Sequence, residues 1–179
     1  RYIGSGFKEL ATNRSIKFSI ESECPGMNIW FDDTKMQRIL NNIYSNAFKF
    51  TPDGGLISTI VATEKKDEKI FVRIEISDTG CGISEKDLNV IFDRFYQSEP
   101  IPGVTGSGIG LHMVKEYVSL HNGKIEVHSK IGVGTTFLIY IPSDLKGDDS
   151  ESKIPAMSPD VEEKVVYSDR KTILIVEDN

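Results

Sequence analysis

Asn42, Asn46 and Lys49 stand four and three residues apart in a stretch that reads as helix, so they share one border of its surface. A carboxamide can give an oxygen to Mg²⁺ and amide hydrogens to phosphate oxygens, and a lysine one turn on can neutralise a phosphate. Further along, Asp78-Thr79-Gly80-Cys81-Gly82-Ile83 follows an apolar-alternating segment, which puts the Asp78 carboxylate at a strand end. A carboxylate there can accept a hydrogen bond from an exocyclic amino group such as that of adenine. Gly80 and Gly82 let backbone approach a base or sugar without Cβ interference. Finally, Gly106-Ser107-Gly108-Ile109-Gly110-Leu111 runs directly into a helical pattern, where freed backbone N–H groups and the helix N-terminus favour an anion. Taken singly, each has an ordinary reading: a solvated helix border, a ligand-free Asp-Thr-Gly turn, a glycine hinge. In this order along one chain they describe a nucleotide pocket.

The elements that must position these residues can be read from periodicity. Residues 16–20 alternate as a half-buried strand, and 27–31 read as its short partner. Asp32-Asp33-Thr34 supplies N-cap candidates, with Thr34 and Gln37 spaced as a capping box. The helix that follows places Met36, Ile39, Leu40, Ile43, Ala47 and Phe50 on one apolar face and stops at Pro52-Asp53-Gly54-Gly55. Residues 56–63 and 70–77 read as an antiparallel pair joined by a charged turn, and Ser84 caps a short helix over 85–92. The stretch 92–105, with Pro100, Pro102 and Gly103, lacks a period and reads as a mobile loop. A helix is expected over 107–120 with Gly123 as its C-cap, then strands over 124–128 and 135–141.

Bulk properties exclude several classes. The chain has 179 residues, 39% hydrophobic and 27% charged, which suits one ordinary α/β domain with spare length. There is no run of ~18 apolar residues and no signal-peptide pattern. A net charge of -6 argues against general nucleic-acid affinity. The spacing is GxGxG, not the GxGxxG of dinucleotide folds, and GxxxxGK[ST] is absent, so neither a Rossmann site nor a P-loop is indicated. Cys24 and Cys81 have no metal spacing and fit a reduced, cytosolic compartment.

With these blocks in view, the chain closely resembles the catalytic and ATP-binding domain of sensor histidine kinases, within the Bergerat-fold ATPase superfamily. Residues 42–51 look like the family's N box, 78–83 its first glycine box, 92–96 its F box and 106–111 its second glycine box. Gly132-Val133-Gly134-Thr135-Thr136-Phe137 matches the closing Gly-x-Gly-Thr-x-Phe turn. The resemblance covers 16–142 and implies an α+β two-layer sandwich: a mixed, mostly antiparallel sheet with helices on one face and a mobile ATP lid. It implies that Asn46 is the Mg²⁺ ligand, with Asn42 supporting phosphates and metal, Lys49 on phosphate and Phe50 beside them. Asp78 would bind the adenine amino group. Gly80, Gly82, Ile83 and the turn of Gly106, Ser107, Gly108, Ile109, Gly110 and Leu111 would shape the pocket. Phe95 would pack on the lid with Arg94 near the phosphates, and Thr135 or Thr136 would lie at the adenine edge. Position 42 also separates relatives, because gyrases and Hsp90-like chaperones place a water-activating glutamate there, whereas asparagine is a poor general base. The site looks suited to transfer to a protein acceptor, with an ATPase or a transfer-deficient regulatory module as the rivals.

None of His112, His121 and His128 is followed by the acidic residue and downstream Pro or Thr of an acceptor segment. His121 reads instead as a helix-terminus residue favoured by the dipole. The chain opens on Arg1, not methionine, which points to a piece of a longer protein. Residues 1–14 then read as the end of the connection from a dimerising phosphoacceptor hairpin, through which alone a homodimer is expected. Residues 15–142 form the catalytic domain and 143–171 a polar, acidic linker. Residues 172–179, Thr-Ile-Leu-Ile-Val-Glu-Asp-Asn, resemble the first strand of a response-regulator receiver, expected to be disordered or parked on a neighbour. The parent would be a hybrid kinase, membrane-bound with this part in the cytoplasm.

Overall fold

The computed structural model describes residues 5–24, 29–97 and 107–143, and the backbone of 171–173. In chain order the elements are α1 (Ser5–Asn13), β1 (Lys17–Ser22), β2 (Trp30–Asp32), α2 (Asp33–Phe50), β3 (Leu56–Lys66) and β4 (Lys69–Asp78). They continue as α3 (Glu85–Leu88), α4 (Gly110–Leu120), β5 (Lys124–Lys130), β6 (Gly134–Pro142) and β7 (Lys171–Ile173). The main sheet has 5 strands in the order β1-β3-β4-β6-β5. Only the β1–β3 pair is parallel. The fold class is therefore the mixed, mostly antiparallel sandwich that the sequence implies.

Strand alternation decides which face is buried. Ile57 and Val61 of β3, Val72, Ile74 and Ile76 of β4, and Phe137, Ile139 and Ile141 of β6 point to one side. There they meet Met36, Ile39, Ile43 and Ala47 of α2 and Val114 and Val118 of α4 in a single core. Ile39, Ile43, Ile57 and Ile139 are completely excluded from solvent, each worth about 1.5–3 kcal/mol of burial. α1 covers the outer end of α2, with Phe7 5.2 Å from the Tyr44 ring and stacked 5.3 Å from Phe48.

Helices α2 and α4 run antiparallel, and three contacts set their relative register. The Asp32 backbone N–H donates to His121 Nε2 at 3.1 Å. Midway, Arg38 Nη1 donates to the Tyr117 hydroxyl at 3.2 Å. At the far end Asn42 lies against Gly110, where an added Cβ would stand 2.5 Å from Asn42 Oδ1. The glycine is what allows the second helix to begin directly over the asparagine.

Several local expectations are corrected. β2 does not pair with β1; it forms a separate antiparallel pair with β7, while β1 lies beside β3. Thr34 and Gln37 form no capping box: the N-cap is Asp32, whose side chain accepts from the Lys35 N–H, and Gln37 Nε2 donates to Asp33. α3 ends at Leu88 instead of Phe92, and α4 begins at Gly110 instead of Ser107. The left-handed residue after α4 is Asn122, at φ 51°, not Gly123. Gly123 is small because Tyr140 O passes too close for a side chain. His121 is buried, with Nδ1 2.7 Å from the Tyr117 carbonyl. A carbonyl only accepts, so the proton sits on Nδ1 and the Nε2 facing Asp32 is unprotonated. His121 ties the two helices together through both ring nitrogens and closes α4 as its C-cap. The expected linker, apart from its end residues, and the end of the receiver-like strand lie outside the described residues.

Candidate active site

Between α2, α3, the start of α4 and the ends of β4 and β6 lies a cavity of about 690 Å³. Of the residues singled out in the sequence, Asn42, Asn46, Lys49, Phe50, Asp78, Gly82, Ile83, Ser107, Gly108, Gly110, Leu111 and Thr135 line it. α2 supplies the amide and ammonium groups because its buried stripe faces the sheet and turns their border toward the opening. Asn42 Nδ2 is committed to the Arg38 carbonyl one turn back, at 2.7 Å, which turns its Oδ1 toward Gly110.

Asp78 ends β4 and is paired in register with Thr135 at the start of β6. Burial raises its carboxyl above the ordinary value, and hydrogen bonds from the Gly80 and Thr135 backbone N–H groups offset this only in part. The Gly80 bond is 2.8 Å, a tight loop that leaves Gly80 buried behind the carboxylate. Gly82, at φ 74°, passes against the Lys130 carbonyl, where any side chain would collide. The loop is thus pressed onto the β5–β6 turn.

α4 opens without a side-chain cap: its N-cap position is Ile109, which makes no capping bond. The first backbone N–H groups of the helix are therefore left to water or a ligand, at the mouth of the cavity. Lys49 and Lys86 bring positive charge to the same space.

Other sequence candidates stand elsewhere. Thr136 alternates to the opposite sheet face and meets Ser77, with hydroxyl oxygens 2.9 Å apart. Arg94 stacks 5.6 Å from the Phe95 ring, and Phe95 is 65% exposed; neither lines the cavity. Gly80 and Ile109 shape the wall without lining it. Gly106 lies outside the described residues. Conversely, Lys86 and Asp87 of α3 and Ile131 line the cavity without having been singled out in the sequence, and Tyr96 and Phe137, placed in the F box and the closing turn but given no site role, line it too. Tyr96 donates to Asp87 Oδ1 at 2.6 Å, a contact no periodicity announces because it joins a helix to irregular chain. Phe137 was within reach, since it shares the strand face of Thr135.

Comparison with known proteins agrees with this architecture. Residues 31–145, more than half of the chain, match the family described as histidine kinase-, DNA gyrase B- and HSP90-like ATPase. The chain belongs to that family. It is 33% identical to "Histidine kinase P4" of Formosa agariphila over 97% of its length, and 40% identical to "Hybrid signal transduction histidine kinase D" of Dictyostelium discoideum over 78%. It spans only 14% and 9% of those two proteins. The catalytic domain of histidine kinase ThkA superposes with a TM-score of 0.68 at 24% identity, over 79% of this chain and 88% of that one. Full-length ShkA in complex with AMPPNP gives 0.65 at 26%, over 78% and 28%. The fold is that of the histidine kinase catalytic domain. Among the described residues no helix is long and apolar enough to cross a membrane.

Proposed function

We propose that this chain binds ATP with Mg²⁺ and passes the γ-phosphoryl group to a histidine of a helical hairpin elsewhere in its parent, a hybrid sensor kinase. The observation that carries the reading is the meeting, in one cavity, of Asn42, Asn46 and Lys49 with Asp78 and the uncapped start of α4. Asp78 accepts from the adenine amino group. The N–H groups opening α4 and the ammonium groups of Lys49 and Lys86 balance phosphate charge and hold the chain of phosphates in line.

Among the described residues no three acidic, histidine or cysteine side chains cluster to hold a metal. Mg²⁺ itself is commonly bound by one or two protein oxygens, which a carboxamide can supply, with phosphates and water completing the octahedron. Asn46 would hold it with Asn42 beside it, and bound Mg²⁺ would neutralise charge developing on the phosphates. Asn42 cannot take a proton from water as a glutamate does, which favours transfer over hydrolysis. The receiver-like segment at 172–179 supports a hybrid parent in which that domain follows, and the membrane-bound, cytoplasm-facing placement belongs to the same proposal.

Titration calorimetry tests the metal assignment. Asn46→Ala should weaken ATP binding in Mg²⁺ by about tenfold or more, and leave the weaker metal-free binding unchanged. Equal loss with and without Mg²⁺ would assign Asn46 to the nucleotide instead.

A further inference from the structure

Ser129, on β5, makes contacts that use up its whole hydrogen-bonding capacity. Its Oγ lies 2.8 Å from the Gly134 carbonyl, which can only accept, so the single hydroxyl hydrogen of Ser129 goes there. The Ile83 backbone N–H donates to the same Oγ at 2.8 Å. The remaining contact, 2.9 Å to Thr135 Oγ1, must then run from threonine to serine, because Ser129 has no second hydrogen to give. Thr135 lines the cavity and is 7% exposed, and its only hydroxyl hydrogen is committed away from the cavity.

We infer that Ser129 is a positioning residue that sets base specificity by fixing the polarity of Thr135. Resting on the ATP reading above, the inference adds which purines the pocket admits and why. Thr135 Oγ1 offers lone pairs alone, and the neighbouring Asp78 carboxylate is likewise an acceptor; their backbones are paired in register. Two acceptors side by side suit a base whose edge carries an amino group and reject one that presents a carbonyl oxygen there. The rejection comes from the unpaired, repelling oxygens left facing one another when a carbonyl meets two acceptors. Asp78 alone would give part of this discrimination. Without Ser129, the Thr135 hydroxyl is free to rotate and donate to a carbonyl, and that part of the selectivity is lost.

The test compares binding of ATP and inosine triphosphate, which carries a carbonyl oxygen in place of the amino group, by calorimetry on the whole chain with Mg²⁺. Ser129→Ala should reduce the preference for ATP over inosine triphosphate by about tenfold, the worth of one neutral hydrogen bond. Thr135→Val supplies the second arm. In a Thr135→Val background, Ser129→Ala should leave the ratio unchanged, since no hydroxyl remains to be turned. If Ser129 merely braced the loop, Ser129→Ala would weaken both nucleotides alike and leave the ratio as in the wild type, which overturns the inference but not the ATP reading. The same ratio change with and without the Thr135 hydroxyl also overturns it. Wild-type chain that binds neither nucleotide overturns the ATP reading itself, and the inference with it.

Discussion

Burial raises the Asp78 carboxyl because the N–H groups of Gly80 and Thr135 replace only part of the hydration it has lost. A carboxyl raised in the folded state contributes stability that is fully present below its ordinary value of 3.8 and is lost as pH rises through the folded value. At neutral pH the ionised Asp78 therefore weakens the ligand-free fold, and a bound amino donor is what would compensate it. Asp78→Asn should raise the thermal midpoint of the free chain at pH 7, with the advantage shrinking as pH falls toward 4. The same substitution should weaken ATP binding by about tenfold to a hundredfold, as expected for losing a hydrogen bond to a charged group. Thermal unfolding at the two pH values and calorimetry check both halves; a lowered midpoint at pH 7 would show that the hydrogen bonds, not desolvation, dominate. Asp32 has the opposite balance. Burial pushes it up, but the Lys35 ammonium and backbone N–H outweigh this and hold it below its ordinary value, as suits a helix cap.

At the scale of elements, the end of α2 is held by a residue far away in sequence. Arg14, just past α1, donates to the Phe48 carbonyl, to the Thr51 carbonyl at 2.8 Å and to Asp53 at 2.7 Å. The Phe48 carbonyl lies in the last turn, where helix geometry leaves it without a partner, the Thr51 carbonyl lies at the C-cap, and the same turn carries Lys49 and Phe50 into the cavity. Arg14→Ala should cost about 1–3 kcal/mol by urea unfolding, and Arg14→Lys should recover less than half, because one ammonium cannot span a fork of three acceptors. Full recovery by lysine would mean that charge, not geometry, matters. This anchor was illegible in the sequence: an arginine before a strand carries no period and announces no partner. What was legible had local causes. The apolar stripe of α2 located Asn42, Asn46 and Lys49 on one border, and the alternation of β4 delivered Asp78 to a strand end. What was missed depends on how elements meet. Thr135 and Thr136 are separated by which sheet face packs on helices, Ser129 by the β5–β6 register, and β2 by a strand more than a hundred residues away, Lys171–Ile173.

For the whole molecule, the sheet with α2 and α4 packs around one core to form a wall, and the groups proposed to handle ATP come from elements on both sides of the cavity. Asn42 and Asn46 are contributed by α2, Asp78 and Thr135 by neighbouring strands, and the anion-facing N–H groups by α4. The histidine kinase catalytic fold places all of them in a unit that spans 14% and 9% of two longer relatives, and the proposed reaction takes its phosphoryl acceptor from outside the cavity. The proposed chemistry is that this site transfers phosphate and does not release it to water. The direct measurement mixes the 179-residue chain with the helical hairpin of its parent and ATP labelled at the γ-phosphate, and follows the label. Label is expected on a hairpin histidine, stable to alkali and lost in acid, with little free phosphate. Rapid release of inorganic phosphate by the chain alone, with the hairpin unlabelled, would contradict it.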